Sequence, residues 1–260
     1  MIANATPRRA SPLMRLCTRY RRIMAGHCVR EEVPLKHTAP IVSFTFDDFP
    51  QSSWLNGGRI LRDHGFLATY YVALSLMGKL TSYGQMFEET DLLEVHAEGN
   101  ELGCHTFSHH DSWRTPPAEF AADLDRNQAA IKTILPDLVF QTMSFPISSP
   151  APGNKRAASV RYRCSRGGEQ RVNLVRIDRN NLAAYFIEQS HGNLERIKSR
   201  LDQAVRHNGW LILATHDVSD QPTRYGTTSA YFADIVRAVA ESGAKVMPVA
   251  TAWRTLTDVA

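Results

Sequence analysis

The chain has 260 residues, 43% of them hydrophobic and 22% charged, enough to bury a sizeable core and outside the disordered and fibrous classes. Its formal charge of +4 is unevenly spread: of 30 Lys/Arg and 26 Asp/Glu, residues 1–40 hold eight and two, leaving 22 and 24 for the rest. The body is nearly neutral, so a nucleic-acid partner is not expected, and the basic character belongs to the first forty residues.

That basic segment offers three readings: a nucleic-acid arm, a targeting peptide or a membrane-surface segment. Arg15, Arg19, Arg21 and Arg22 interrupt every apolar stretch that could act as a secretory core. Nothing in the chain reaches the roughly 18–20 apolar residues that span a bilayer. We therefore expect a cytoplasmic protein with a short helix around Leu13–Met24, packed on the body or lying in solvent. Peripheral contact with anionic lipid is the alternative. Residues 1–39 are set apart as a basic extension and 40–260 as the main domain. Cys17, Cys28, Cys104 and Cys164 show no CxxC spacing and read as reduced, Cys104 as a small buried hydrophobe.

From Ile41 onward short apolar runs alternate with amphipathic stretches. IVSFTF (41–46) is a strand ending in two acids, followed by a helical stretch from about Trp54 to His64 that stops at Gly65. LATYYV (67–72) is the next strand, EETDLLEVHAEG (88–99) a helix closed by glycine, and ELGCH (101–105) the third strand. Residues 116–135 carry the clearest helical signature: two prolines open the run, and Phe120, Leu124, Ile131 and Leu135 share a face. Later strands are expected near 142–145, 162–165, 210–215 and 244–249, with an extended NLVRID at 173–178. Helices are expected near 155–160, 194–207 and 229–242, and behind the last strand. The alternation predicts an α/β fold, a parallel sheet with helices outside it, and about seven units suit a nearly closed barrel better than a doubly wound sheet. No GxGxxG follows a strand, so a dinucleotide site has no support.

Reactive groups in such a barrel collect where strands end. The first strand ends in Asp47-Asp48, the third in His105-Thr106-Phe107-Ser108-His109, and a later one in Thr215-His216-Asp217. His105 and His109 are four residues apart, which we read as two rings on one face of a helical turn. One carboxylate would complete a two-His, one-acid set for a divalent ion, Zn²⁺ by default, with positions left for water and substrate. Adjacent acids at a strand end point in different directions, so one can bind the ion while the other serves as general base. His216, from the opposite side, could protonate the departing group. The chemistry this suggests is metal-assisted hydrolysis of an acyl bond.

With these residues the chain closely resembles the polysaccharide deacetylases of the NodB-homology type (carbohydrate esterase family 4). The matching motifs are TFDD at 45–48, HTFSH at 105–109 and, more loosely, THD at 215–217. The resemblance implies that Asp47 is the base, that Asp48, His105 and His109 hold the metal, and that His216 is the acid. It implies a distorted (β/α) barrel and removal of acetyl from an N-acetylated sugar, over about residues 40–255. Two motifs depart from the family pattern. The RxPY motif corresponds to Ser144-Phe145-Pro146-Ile147, without its arginine and tyrosine. The N–H of Ile147, after Pro146, can still donate to an oxyanion, since that role needs no side chain. Arg166, at the end of the next strand, is the candidate to replace the arginine that pairs with the base. The DxxDW-like motif is not visible; Asp178 is a possible stand-in for its acid, with a surface aspartate as the alternative. Ala214 stands where the family often has leucine, so the acyl pocket is expected to differ in shape. Tyr225, in the loop after His216, is a candidate sugar contact. His64, His96, His191 and His207 are expected to be solvent or capping groups, and His110 is not expected to be a ligand.

The expected function is metal-dependent deacetylation of an N-acetylated glycan or glycoconjugate. The rivals are hydrolysis of an O-acetyl ester or another linear amide, and a metal- or glycan-binding homologue without catalysis.

Overall fold

A computed structural model describes residues 12–36, 39–147 and 149–257. The first third holds α1 (Pro12–His27), β1 (Glu32–Pro34), β2 (Ile41–Phe46), a π-type stretch (Ser53–Gly58) running into α2 (Arg59–Arg62), β3 (Thr69–Val72), β4 (Leu80–Thr81) and β5 (Gly84–Gln85). Next come α3 (Glu89–Ala97), β6 (Glu101–Cys104), α4 (Pro117–Ile131), β7 (Thr142–Ser144), α5 (Pro152–Ser159) and β8 (Cys164–Arg166). The last third holds β9 (Arg176–Asp178), β10 (Tyr185–Phe186), α6 (Leu194–Arg206), β11 (Trp210–Thr215), α7 (Ser229–Glu241), β12 (Lys245–Val246) and α8 (Val249–Thr257).

Seven strands pair in parallel in the order β10-β11-β2-β3-β6-β7-β8. The ring closes through the residues just before β10: Arg166 bridges Leu182, and Gly167 N–H donates to Leu182 O at 2.8 Å. The result is a distorted (β/α) barrel. Part of the distortion lies at β2, whose first half (Ile41, Val42) pairs with β12 and whose second half (Thr45, Phe46) pairs with β3. The strand at 244–249 is thus cut to two residues, because Pro248 lacks an N–H and opens α8 instead.

All six residues of β2 are buried, as a strand covered on both faces requires. Successive side chains alternate between the faces. Val42, Phe44 and Phe46 join the large core beneath the helices, while Ile41 joins Trp210, Ile212, Ala214 and Trp253 inside the barrel. The same period carries Thr45 and Asp47 inward from β2, and Ala214 and His216 inward from β11. Apolar groups fill the barrel floor; polar ones occupy the end where the strands stop.

Residues 173–178, expected as an extended run, lie off the barrel. β9 pairs antiparallel with β1, and Asn173 makes an antiparallel bridge to Trp210. This brings the N-terminal segment onto the body. Lys155, fully buried, donates to Ala25 O at 2.7 Å and Cys28 O at 2.9 Å, and pairs with Asp178 at 2.5 Å. A lysine ammonium thus satisfies two carbonyls at the end of α1, where the helix dipole favours a cation. Asp178 also accepts from Glu31 N–H at 3.0 Å, and Ala25 and Leu35 are buried.

Candidate active site

Asp47 extends β2 by one residue, its N–H donating to Thr215 O at 2.9 Å. The chain then turns sharply: Asp48 and Phe49 have φ of 62° and 57°, in the left-handed region that aspartate tolerates better than most residues. This kink sends the two adjacent carboxylates to different partners. Asp48 is fully buried, with Oδ1 2.9 Å from His109 Nε2 and 3.3 Å from His105 Nε2. Asp47 instead faces Arg166 and Ser144.

Asp48, His105 and His109 each offer one ligand atom, all within 4.8 Å of one another. Both oxygens of Asp48 are buried without a hydrogen-bond partner among the described residues. A carboxylate so placed requires a cation. His105 Nδ1 lies 2.8 Å from Ser144 O, which fixes the tautomer with Nε2 free toward Asp48. The donor set therefore fits a divalent ion of the zinc type.

The two histidines do not sit on a helical turn, as their spacing suggested. Residues 105–111 are a loop in which Thr106 (φ 61°) and His109 (φ 54°) take left-handed conformations. The loop is held from α4: Asp123 accepts from the N–H groups of Phe107 (3.0 Å) and Ser108 (2.9 Å) and from the Ser108 hydroxyl (2.9 Å). One turn on, Asn127 donates to Val72 O at 2.9 Å and accepts from Leu74 N–H at 3.1 Å. The apolar face of α4 (Phe120, Leu124, Ile131) is buried as the periodicity predicts, and these polar residues within it pin the strand ends.

Arg166, 1% exposed, ion-pairs with Asp47 and also donates to Ser144 Oγ and to Gly167 O at 3.1 Å. Its guanidinium lies 5.1 Å from the Tyr71 ring centroid and 5.4 Å from that of Phe186. Burial pushes the Asp47 carboxyl up, but the charges of Arg166, His105 and His216 outweigh it and hold it below the ordinary value. A strand-end arginine from β8 thus stands beside Asp47, at the position left open by Ser144-Phe145-Pro146-Ile147.

His216 follows β11 with Nε2 3.9 Å from Asp48 Oδ2 and Nδ1 3.3 Å from the carbonyl of Tyr225. Its ring stacks on Tyr83 (centroids 5.3 Å, planes 10° apart) and more distantly on Phe186 (6.3 Å). The orienting partner is a backbone carbonyl where the family pattern has an acid. That carbonyl is placed by Asp217, which accepts from Thr223 N–H at 2.7 Å and Thr223 Oγ1 at 2.6 Å.

These groups share a cavity of about 380 Å³. Asp47, His105, His109, Arg166 and His216 line it, with Ile147 and Tyr225 at its rim. Ile147 has φ 63°, a strained state for a β-branched residue and one that recurs at functional sites. Pro146 is buried beneath it and accepts from Ser112 N–H at 3.3 Å. Asp178 is placed elsewhere: it faces Lys155 and does not line the cavity, because β9 pairs with β1 outside the barrel. Ala214 lies in the barrel core, and His64, His96, His191 and His207 are exposed.

Six further cavity residues gave no signal of a place in the site in the sequence. Tyr83 comes from the short β4–β5 hairpin, Phe186 from the two-residue β10, and Thr18, Arg21 and Arg22 from α1. The sixth is Glu188, whose carboxyl burial pushes up to about 7.

The family profile described as polysaccharide deacetylase matches residues 35–163. The chain belongs to the polysaccharide deacetylase family. Its fold is that of the chitin deacetylase of the fungal pathogen Colletotrichum lindemuthianum, at 18% identity and TM-score 0.57, covering 84% of this chain and 89% of that one. It is equally like a family 4 acetyl xylan esterase from Clostridium thermocellum in complex with a cobalt ion (16%, 0.57, 82% and 90%). A CE4 family pseudoenzyme from Bacillus anthracis is also similar (13%, 0.58, 84% and 66%). No curated protein matches the chain in sequence.

Proposed function

We propose that this chain is a metal-dependent deacetylase acting on an N-acetylated sugar, oligosaccharide or glycoconjugate. The observation that carries the reading is the pairing of Asp47 with Arg166 beside the buried Asp48–His105–His109 cluster, in one cavity with His216. When bound, a divalent ion held by that cluster, Zn²⁺ by its donor set, supplies Lewis acidity toward the acyl oxygen and lowers the pKa of a neighbouring water. Asp47, kept ionised by Arg166, takes a proton from the water that attacks the acetamide carbon. The N–H of Ile147 donates to the oxygen on which charge develops. His216 gives its proton to the nitrogen as the C–N bond breaks. Acetate and a free amine leave, and proton exchange with solvent resets Asp47 and His216. Tyr83 and Tyr225 offer rings at the cavity for sugar faces.

A homologue without catalysis, as the Bacillus anthracis pseudoenzyme is, needs neither Asp47 nor His216, and here both are present and oriented. The test is acetate release from chito-oligosaccharides and, in parallel, from acetylated xylan, with added Zn²⁺ and after chelation. Release from the amide that stops on chelation supports the reading. Release from the ester alone moves the function to an esterase, and release indifferent to chelation sinks the metal-dependent mechanism.

Asp123 gives a further expectation. Its carboxylate holds the backbone between the two histidine ligands, so Asp123→Ala should weaken divalent-ion affinity by roughly 10–100-fold. Calorimetric titration with Zn²⁺ measures it, and an unchanged affinity would show the loop is positioned by other contacts.

A further inference from the structure

Helix α1 carries two adjacent stripes that stay largely exposed, although the Tyr20 ring meets Trp113 of the body edge-on at 5.9 Å. Leu13, Leu16, Tyr20 and Ile23 recur at three- and four-residue steps, the spacing of one helical face, and are 71%, 63%, 54% and 48% exposed. Arg15 and Arg19, four apart, form an exposed row beside them. The opposite side meets the protein: Ala25 is buried, and Thr18, Arg21 and Arg22 border the catalytic cavity. Lys155 clamps the end of the helix, so the outer stripes are held in a fixed relation to the cavity.

Large apolar side chains aligned in water mark an interaction surface. Charge complementarity identifies the partner. The helix holds no acidic residue, and its arginine row flanks the apolar one, so the complementary surface is anionic and has an apolar interior. A bilayer containing acidic lipids meets both conditions, with apolar side chains among the acyl chains and guanidinium groups at the headgroups. Among the described residues no helix is long and apolar enough to cross a membrane, so the contact is one of lying on the surface.

We propose that α1 docks on an anionic lipid bilayer and holds the mouth of the cavity beside the headgroups. Glycans anchored to that bilayer then reach the site without leaving it, a consequence that rests on the deacetylase reading.

The full chain is sedimented with phosphatidylcholine vesicles that contain or lack phosphatidylglycerol. Binding is expected only with phosphatidylglycerol and should weaken as salt rises. The double variants Leu16→Glu/Ile23→Glu and Arg15→Glu/Arg19→Glu should each bind about tenfold or more weakly, with unchanged circular dichroism. Vesicle binding needs no catalysis, so this result stands or falls apart from the enzymatic reading. No binding to phosphatidylglycerol vesicles, or binding that survives both double substitutions, overturns the proposal. So does a dimer in place of vesicle binding that Leu16→Glu/Ile23→Glu dissolves, since the stripe would then join two copies. For the consequence, both variants should deacetylate a lipid-anchored N-acetylglucosamine conjugate in those vesicles about tenfold more slowly than the parent, and soluble chito-oligosaccharides equally fast. Equal rates on the anchored substrate overturn the presentation.

Discussion

Replacing Asp47 by asparagine should lower kcat for acetate release by roughly 10²–10⁴-fold, the usual contribution of a positioned general base. The amide keeps the shape of the carboxylate and its place beside Arg166, but it cannot accept a proton from water at neutral pH. Asp48, His105 and His109 are untouched, so divalent-ion affinity should change little. Kinetics on chito-oligosaccharides give the first quantity and calorimetric titration with Zn²⁺ the second. A variant that keeps its full rate would remove Asp47 from the mechanism. One that loses the ion as well as the rate would instead make Asp47 a partner in holding it. KM should stay near the parent value, because the proton transfer belongs to the transition state and not to ground-state binding.

The parts of this site that are legible in the sequence are those written locally. TFDD and HTFSH sit at strand ends, and a parallel barrel gathers such ends at one rim whatever the intervening helices do. Period two along each strand then turns Asp47 and His216 inward. The loop that aims the histidines was not legible, because its left-handed residues, Thr106 and His109, carry no glycine signal, and the acid that braces it lies on α4. A buried aspartate at 123 in an otherwise apolar face looks like an exposed helix residue until the strand ends above it are known.

Other features are tertiary by nature. Tyr83 sits in the turn between two two-residue strands and Phe186 in a third such strand, all too short for any hydrophobic period to show. Asp178 reads as a strand-end acid of the barrel only if its strand joins the barrel. β1, a three-residue strand from the basic segment, captures that strand instead and commits Asp178 to Lys155. Arg166 is an intermediate case. Its place at the end of β8 follows from alternation, but its partner lies 119 residues earlier, across the barrel.

The second large effect is expected at Arg166. Arg166→Met leaves Asp47 buried with its principal counter-charge removed, and breaking a buried pair from one side costs about 3–5 kcal/mol. The sign of the pH dependence follows from Asp47, whose folded pKa is held low. It therefore contributes stability above its unfolded pKa of about 3.9, and that contribution fades as pH falls through the folded value. Without Arg166, burial dominates and raises the folded pKa. The variant's deficit should then be largest at neutral pH and shrink on acidification, as Asp47 takes up a proton inside the fold. Urea midpoints at pH 7 and pH 5 at fixed metal concentration measure this. The same rise should move the acid limb of kcat/KM to higher pH, so that activity lost at neutrality returns in part in alkali. Arg166→Lys, which keeps the charge but not the planar fork that reaches Ser144 Oγ and Gly167 O, should fall between the two in both readouts. A deficit of equal size at both pH values, with an unmoved acid limb, would mean that Arg166 only fills space between Tyr71 and Phe186. Asp47 would then owe its ionised state to the imidazoles of His105 and His216.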